Sequence, residues 1–418
     1  MANLDAVNIK KGKIGANRLD NTRSVSALVV SSPVLPLLDF KKTVQLYGLF
    51  DAEQYGIVEA FDTTNNVNVY RHIREFYRMA GEGTELNFMV VAQSETLQTI
   101  TEDTAGDKLK RLLIDADFKV RQVAVALNPI DDEENPLVPV DGLVPDVFGA
   151  IPLAQGLAEW AYNHFMPTHI FLEGYQLGGL ASVVPDLRDI ENVEATKVTM
   201  VIGQDWQYAE TKTGIAQKFA DVGTVLGVCA SAAINQNIGD NEAFNLMDAT
   251  KSAWMVPGLS SHEKNKDVYQ QLQTFENKGY VFGLSYAGLA GIRINNDHVC
   301  APIIIDSEGN INEHTIAYGR VMDDCARQLR TAYLPKVKKT YAVNAEGKLP
   351  TGIRVGLETI GDTIFTDMRN AVEISKGKTT IDPESDLLIA KELKVNFNVQ
   401  PTGTLGYLNG TINLKSKQ

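Results

Sequence analysis

The chain has 418 residues, 44% of them apolar and 22% charged, which is ordinary globular composition with length for two or three domains. Its formal net charge of −13 excludes a sequence-independent nucleic-acid binder, which needs a basic surface. No run of about 18 apolar residues occurs, so no membrane span is expected. Met1-Ala2-Asn3-Leu4-Asp5 lacks the basic-then-apolar order of a secretory signal. Cys229, Cys300 and Cys325 are an odd set without metal-ligand spacing and read as reduced core thiols, so synthesis is expected in the cytoplasm.

Residues 1–23 form a distinct arm, with Lys10, Lys11, Lys13, Arg18 and Arg23 against only Asp5 and Asp20. Val7 and Ile9 give it a short alternation; composition fits either a flexible tail or an extended arm that orders on contact. Ser24 to Ser32 reads as a buried strand, and Asp51 to Phe61 and Val67 to Met79 as helices. Strands are expected at Leu86–Val91, Val120–Leu127, Thr168–Leu172 and Lys197–Ile202, with helices at Asp107–Asp115 and Ala150–Phe165. Asp131-Asp132-Glu133-Glu134-Asn135-Pro136 is a loop tip. Gly214 to Ala233 reads as one long helix rich in small residues, Asp267 to Lys278 as another, and Tyr280 to Leu284 as a strand. Strands and helices alternating at this pitch predict an α/β sandwich with a largely parallel sheet.

After about residue 290 the pattern changes. Ala301 to Asp306 reads as a strand entering a Gly309-Asn310 turn, and Ile316 to Leu334 as a long helix stopped by Pro335. Thr359 to Ser375 reads as a helix stopped near Gly377. Leu393, Val395, Phe397 and Val399 then alternate with polar residues up to Pro401-Thr402-Gly403-Thr404, and Leu408, Ile412 and Leu414 line one face of a second alternation. Period 2 on both sides of a Pro/Gly turn predicts a terminal β-hairpin. A strand at a chain end is paired at home or pairs with another molecule.

Catalytic motifs are weak. No phosphate loop of the GxxxxGK[ST] type occurs, and Gly174-Tyr-Gln-Leu-Gly178-Gly179 lacks the GxGxxG spacing, so it reads as a strand-exit turn. Gly283-Leu284-Ser285-Tyr286-Ala287 approaches a nucleophile elbow but replaces the second glycine with Ala287. With His298, His314, Asp297 and Asp306 downstream, an α/β hydrolase-like enzyme with its site near Ser285 is the alternative reading. The six histidines form no HxxxH or HExxH pair. Asp306 to Glu313 alternates oxygen ligands but has its glycine fourth, which suits a turn better than a calcium loop.

The C-terminal half resembles the tail-sheath proteins of contractile phages and related injection systems. The features come in order. Tyr280-Val281-Phe282-Gly283 follows a helix, and Ala287-Gly288-Leu289-Ala290-Gly291-Ile292-Arg293-Ile294-Asn295-Asn296-Asp297-His298-Val299-Cys300 is similar to a glycine-rich turn, strand and Asn-Asp loop of sheaths. Ile316 to Tyr333, with Arg320, Asp323, Arg327 and Arg330, is similar to the helix before the sheath terminal region. Val372-Glu373-Ile374-Ser375 then leads through Ile381-Asp382-Pro383 to the terminal hairpin, and Gly223 to Gly239 also resembles sheath sequence. The resemblance covers roughly 215 to 418, more weakly 24 to 130.

That resemblance implies an outer α/β sandwich domain over 24–300 and a smaller α+β inner domain over 301–418, built from both chain ends, with extended terminal β-arms. It implies a structural subunit and no enzyme. The subunit would polymerise as stacked hexameric rings around an inner tube protein, with baseplate and terminator proteins as further partners and no cofactor. Strand exchange between subunits would use Val7 and Ile9 of the N-terminal arm and Leu393, Val395, Phe397, Val399, Ile412 and Leu414 of the C-terminal one. A tube-facing helix would be the Thr359 to Ser375 segment, with Asp362, Asp367, Arg369, Glu373, Lys376 and Lys378 as contacts; an ordinary surface helix is the alternative. A tube protein itself is expected to be a much smaller β-barrel, which the α/β middle contradicts.

Overall fold

The computed structural model describes residues 23–131 and 137–415. Val7, Ile9 and the remainder of the N-terminal arm before Arg23 lie outside the described residues, as does most of the acidic loop tip.

The centre of the molecule is a six-stranded sheet. Its strands are β1 (Ser26–Ser32), β2 (Thr43–Leu46), β3 (Leu86–Ala92), β4 (Gln122–Ala126), β5 (His169–Glu173) and β6 (Val198–Val201), in the order β2-β3-β1-β4-β5-β6. All pairings are parallel except β2 with β3. The register sets Val29 opposite Met89 and Val125, and Val30 opposite Val90 and Ala126, so each pleat gives one apolar layer to each face. Leu28, Val30, Phe88, Val90 and Phe171 face one core, and Val29, Met89, Val91, Val123, Ile170 and Leu172 the other.

Between β2 and β3 run α1 (Leu49–Gln54), α2 (Glu59–Asn65) and α3 (Val69–Ala80); α4 (Leu97–Glu102) and α5 (Leu109–Asp115) precede β4, and α6 (Pro145–Asn163) precedes β5. The single helix expected over Asp51 to Phe61 is therefore two, broken at Gly56, whose φ of 79° is a left-handed conformation suited to glycine. After β6 come β7 (Gly203–Asp205), α7 (Trp206–Ala209) and α8 (Val222–Ser231). The expected long helix from Gly214 is also interrupted. A 3-10 turn at Gly214–Lys218 gives way to extended backbone at Phe219, and α8 starts only after Asp221. That break serves a buried charge: Asp221 lies 2.6 Å from Arg71 of α3, which also meets Asp205 at 3.1 Å and Glu75 at 3.3 Å. Burial opposes the Arg71 charge, and these carboxylates outweigh it and raise its pKa. Gly223 and Gly227 of α8 sit against the α3 backbone at His72 and Phe76, where a Cβ has no room.

Two small strands, β8 (Pro257–Leu259) and β9 (Glu263–Lys264), extend β7 into a three-stranded sheet, and α9 (Tyr269–Asn277) follows. The strand expected at Tyr280 begins later, as β10 (Gly283–Tyr286), which turns back into β11 (Leu289–Ile294). Ala301 to Asp306 forms no strand; its one pairing is the isolated bridge between Ile305 and Ile311. The chain then enters α10 (Ile316–Tyr333), α11 (Thr351–Asn370), β12 (Ile374–Ile381) and β13 (Val395–Pro401). No helix among the described residues is long and apolar enough to cross a membrane.

The C-terminal end departs most from expectation. α11 starts eight residues before Thr359 and ends at Asn370, so Ile374 and Ser375 belong to a strand. The terminal hairpin is not 393–400 folded onto 404–414. β13 pairs antiparallel with β12, Val395 opposite Ile381 and Phe397 opposite Thr379, and residues 402–415 carry no regular structure. β12 supplies the partner that the second alternation was expected to provide.

Candidate assembly interface

The C-terminal body is a two-stranded ribbon laid on α11 and braced by α10. Ile234, Val321, Cys325, Leu329, Phe365, Met368 and Ile374 form one small core, against which Phe397 and Val399 pack; Leu349, Leu357 and Ile381 form a second, with Leu393 and Val395 beside it. The apolar face of the 393–399 alternation is thus half-buried at home. Close approach of helix to ribbon requires two glycines. A Cβ on Gly377 would enter the Phe365 ring, and one on Gly361 would strike Thr379.

The two edges of this ribbon differ. On β12 the outward N–H of Thr379 donates to Asp362 (2.7 Å) and that of Ile381 to Glu358 (3.0 Å), both from α11. Lys378 completes the cap through Asp362 at 2.7 Å. Partial burial works against the Asp362 charge, but Lys378 and the Thr379 N–H hold its carboxyl below the usual range. On β13 no third strand is hydrogen-bonded among the described residues. Residues opposite Thr379 and Ile381 share their orientation in the ladder, so Phe397 and Val395 present backbone groups outward. A cleft of about 520 Å³ runs beside β13, lined by Val395, Phe397 and Val399 of the strand, by Met322 and Leu329 of α10, and by Tyr162 of α6.

Beyond β13 the tail leaves the body. Leu405, Tyr407, Leu408, Ile412 and Leu414 are all exposed, Ile412 and Leu414 completely. At the other chain end Arg23 is anchored to this same body, 2.8 Å from Asp324 of α10 and paired with Glu373.

A polar seam joins α10 to the α/β body. Arg327 donates to the carbonyls of Phe118 (2.8 Å), Val120 (2.9 Å) and Pro167 (2.5 Å). Lys197 lies 2.6 Å from Asp323 and 2.5 Å from Glu313. Burial disfavours the Lys197 ammonium, and these two carboxylates more than offset it, so its pKa is raised.

The residues expected to meet a tube fall into two groups. Asp362, Lys378 and Glu373 are engaged within the chain, in the β12 cap and the Arg23 pair. Asp367, Arg369 and Lys376 are exposed, and no hydrogen bond or ion pair joins their side chains to other described residues. Sequence reasoning missed β12 and its carboxylate cap. Asp362 and Glu358 stand four apart on one helix, and Lys378-Thr379-Thr380-Ile381 is β-prone, which was the available signal.

Geometry removes the Ser285 alternative. A nucleophile elbow needs a strand turning into a helix, whereas β10 turns at Gly288 into β11, and Ser285 is exposed near the hairpin tip. His298 is engaged elsewhere, with Glu276 at 2.9 Å and Arg188. The Gly174 turn is filled: Ser260 donates to the Gly174 carbonyl at 2.5 Å, and Ile202, Met200 and the Val201 carbonyl occupy its Cβ direction.

Comparison with known proteins agrees with this architecture. The model of the N-terminal domain of DUF2586 matches residues 6–298 and that of its C-terminal domain matches 314–418. No curated protein matches the sequence. Among solved structures, the chain is similar to one in the contracted baseplate of the anti-feeding prophage, with TM-score 0.60, 12% identity and 100% of both chains covered. It is similar to the contracted helical sheath of the same particle (0.57, 11% identity, 100% of both chains). The contracted sheath complex of the PVC extracellular contractile injection system gives 0.58 at 10% identity, over 100% of this chain and 99% of that one. The chain belongs to the DUF2586 family and has the fold of contractile sheath proteins.

Proposed function

We propose that this chain is the structural subunit of a contractile sheath, polymerising as stacked hexameric rings around an inner tube and shortening to drive that tube through a target envelope. One observation carries the reading: an open β13 edge beside a cleft of about 520 Å³, on a chain whose tail leaves its apolar residues uncovered. An incoming strand from another copy satisfies both, since β-addition joins backbone to backbone while alternate side chains fix register. The segment with Ile412 and Leu414 is one donor, and the arm with Val7 and Ile9 is the other. Residues 1–23 act as the arm, 24–300 as the outer domain and 301–418 as the inner domain, with Arg23 tying the arm to the inner body. Val395, Phe397 and Val399 serve as the acceptor strand, while Asp367, Arg369 and Lys376 are the side chains available to a tube.

The subunit is mechanical and not catalytic, needs no cofactor, and works with tube, baseplate and terminator proteins. It is made in the cytoplasm of the producing bacterial cell and ends in the assembled particle. Negative-stain electron microscopy of the full chain, alone and with its tube protein, tests this. Hollow striated cylinders of uniform width are expected; dispersed monomers under both conditions would contradict the proposal.

A further inference from the structure

The segment between the two family matches forms an apolar finger. Ile303, Ile304, Ile305 and Ile311 are 58%, 41%, 66% and 43% exposed, held in a loop by the Ile305–Ile311 bridge. Asp306 shapes the tip, accepting from the backbone N–H of Glu308 (2.9 Å) and Asn310 (2.8 Å). Four clustered exposed isoleucines are unlike the scattered apolar residues of a normal surface, and such patches mark contact sites. The charged residues of the segment itself are acidic, Glu313 at its base being paired with Lys197. From Ile294 to Gly319 there is no Lys or Arg, while Asp306 and Glu308 project at the tip.

A second surface has the complementary character. The strap after α10, Leu334-Pro335-Lys336-Val337-Lys338-Lys339, exposes Leu334 (56%) and Val337 (62%) beside the exposed Lys338 and Lys339. No acidic residue occurs from Thr331 to Ala345. Asp306 and Glu308 form no ion pair with Lys338 or Lys339 inside the chain, nor do those lysines with any other described residue. These are two distinct patches, each apolar and of opposite charge, and no ion pair joins them within the chain. Contact between them across copies is heterologous, so it repeats from subunit to subunit and does not close on itself as a two-fold dimer does.

We propose that the isoleucine finger of one copy docks on the lysine strap of a second copy, a subunit contact separate from strand exchange. The inference rests on the sheath reading and names one of its contacts. Apolar burial by the isoleucines supplies affinity, and Asp306 and Glu308 against Lys338 and Lys339 supply orientation.

The test uses two single-cysteine pools of the full chain, Ile305→Cys and Val337→Cys, mixed before assembly and treated with a short bismaleimide. The native cysteines are buried, so the introduced thiols are the accessible ones. A cross-linked dimer from the mixed pool, absent from either pool alone, is expected. Cylinders that form without that dimer overturn the finger contact and leave the sheath reading standing; an unmodified chain that forms no cylinders either alone or with its tube protein overturns both. Independently, Asp306→Lys with Glu308→Lys is expected to raise the concentration needed for assembly about tenfold. Adding Lys338→Glu and Lys339→Glu to the same chain should restore it. Unchanged assembly of the first double variant would also overturn the contact.

Discussion

In the six-stranded sheet both edges are managed within the chain. β2 is a four-residue edge behind Lys41 and Lys42, and β6 receives the N–H of Cys300 at Val198 (2.8 Å) and of Val281 at Met200 (3.0 Å). In the two-stranded ribbon only β12 is closed, by two carboxylates of α11, and β13 is left open beside a cleft. The cores differ in the same way. Helices cover both faces of the large sheet, while the ribbon rests on small cores and releases a tail of exposed apolar residues. One body is finished by its own residues; the other leaves a strand edge open and an apolar tail uncovered, and natural proteins seldom leave such an edge exposed without a use.

Truncation should separate the two bodies most sharply. Ending the chain after Thr402 removes the uncovered tail, keeps the Asn235–Thr402 hydrogen bond (3.1 Å), and is expected to abolish cylinders while leaving the melting temperature unchanged. Deleting 393–418 also removes β13 and should unfold the C-terminal body, visible as loss of amide protection in α11. Equal behaviour of the two truncations would erase the distinction.

The α/β body should carry a pH dependence that the ribbon lacks. Burial pushes the Glu173 carboxyl from 4.5 up to about 8, partly opposed by the N–H groups of Leu127 and Ala220. A raised carboxyl pKa means the folded state keeps a proton that the unfolded chain releases. Stability is then fully present below the unfolded value and declines as pH rises toward 8, by at most about 1.4 kcal/mol per unit. Thermal melts from pH 5 to 8 should show this slope, and Glu173→Gln should reduce it, leaving the part carried by Asp62 and Asp297, which burial raises to about 6 and about 7.

Smaller effects probe the ribbon. Gly377→Val drives a side chain into Phe365 and should cost the C-terminal body about 1–3 kcal/mol in denaturant unfolding, with the α/β transition unmoved. Asp362→Asn weakens the β12 cap and should cost about 1 kcal/mol while raising hydrogen exchange at the Thr379 amide. An unaltered Thr379 amide would mean that the carboxylate does not close that edge.

Much of the α/β body was legible because its strands are short apolar runs, such as Leu86 to Val91, set between helices at regular spacing. The boundaries that failed there have tertiary causes: Asp221 interrupts a helical pattern to reach Arg71, and Gly56 breaks one helix into two. The ribbon was legible only by half. Alternation over 393–400 marked β13, but alternation cannot say which strand is opposite, and the nearer candidate across Pro401 lost to β12. Gly377, needed for contact with Phe365, read as a helix stop and hid the first strand of the pair. The cleft was not legible at all, since α10 and β13 meet there with α6, which lies more than two hundred residues before β13 in the chain.

Hydrogen–deuterium exchange of single amides in β13, compared between dispersed subunits and assembled cylinders, tests strand addition most directly. Val395, Phe397 and Val399 should exchange quickly in the free subunit and become protected in the cylinder, while Thr379 and Ile381 stay protected in both. Equal, fast exchange of the three β13 amides in intact cylinders would contradict it.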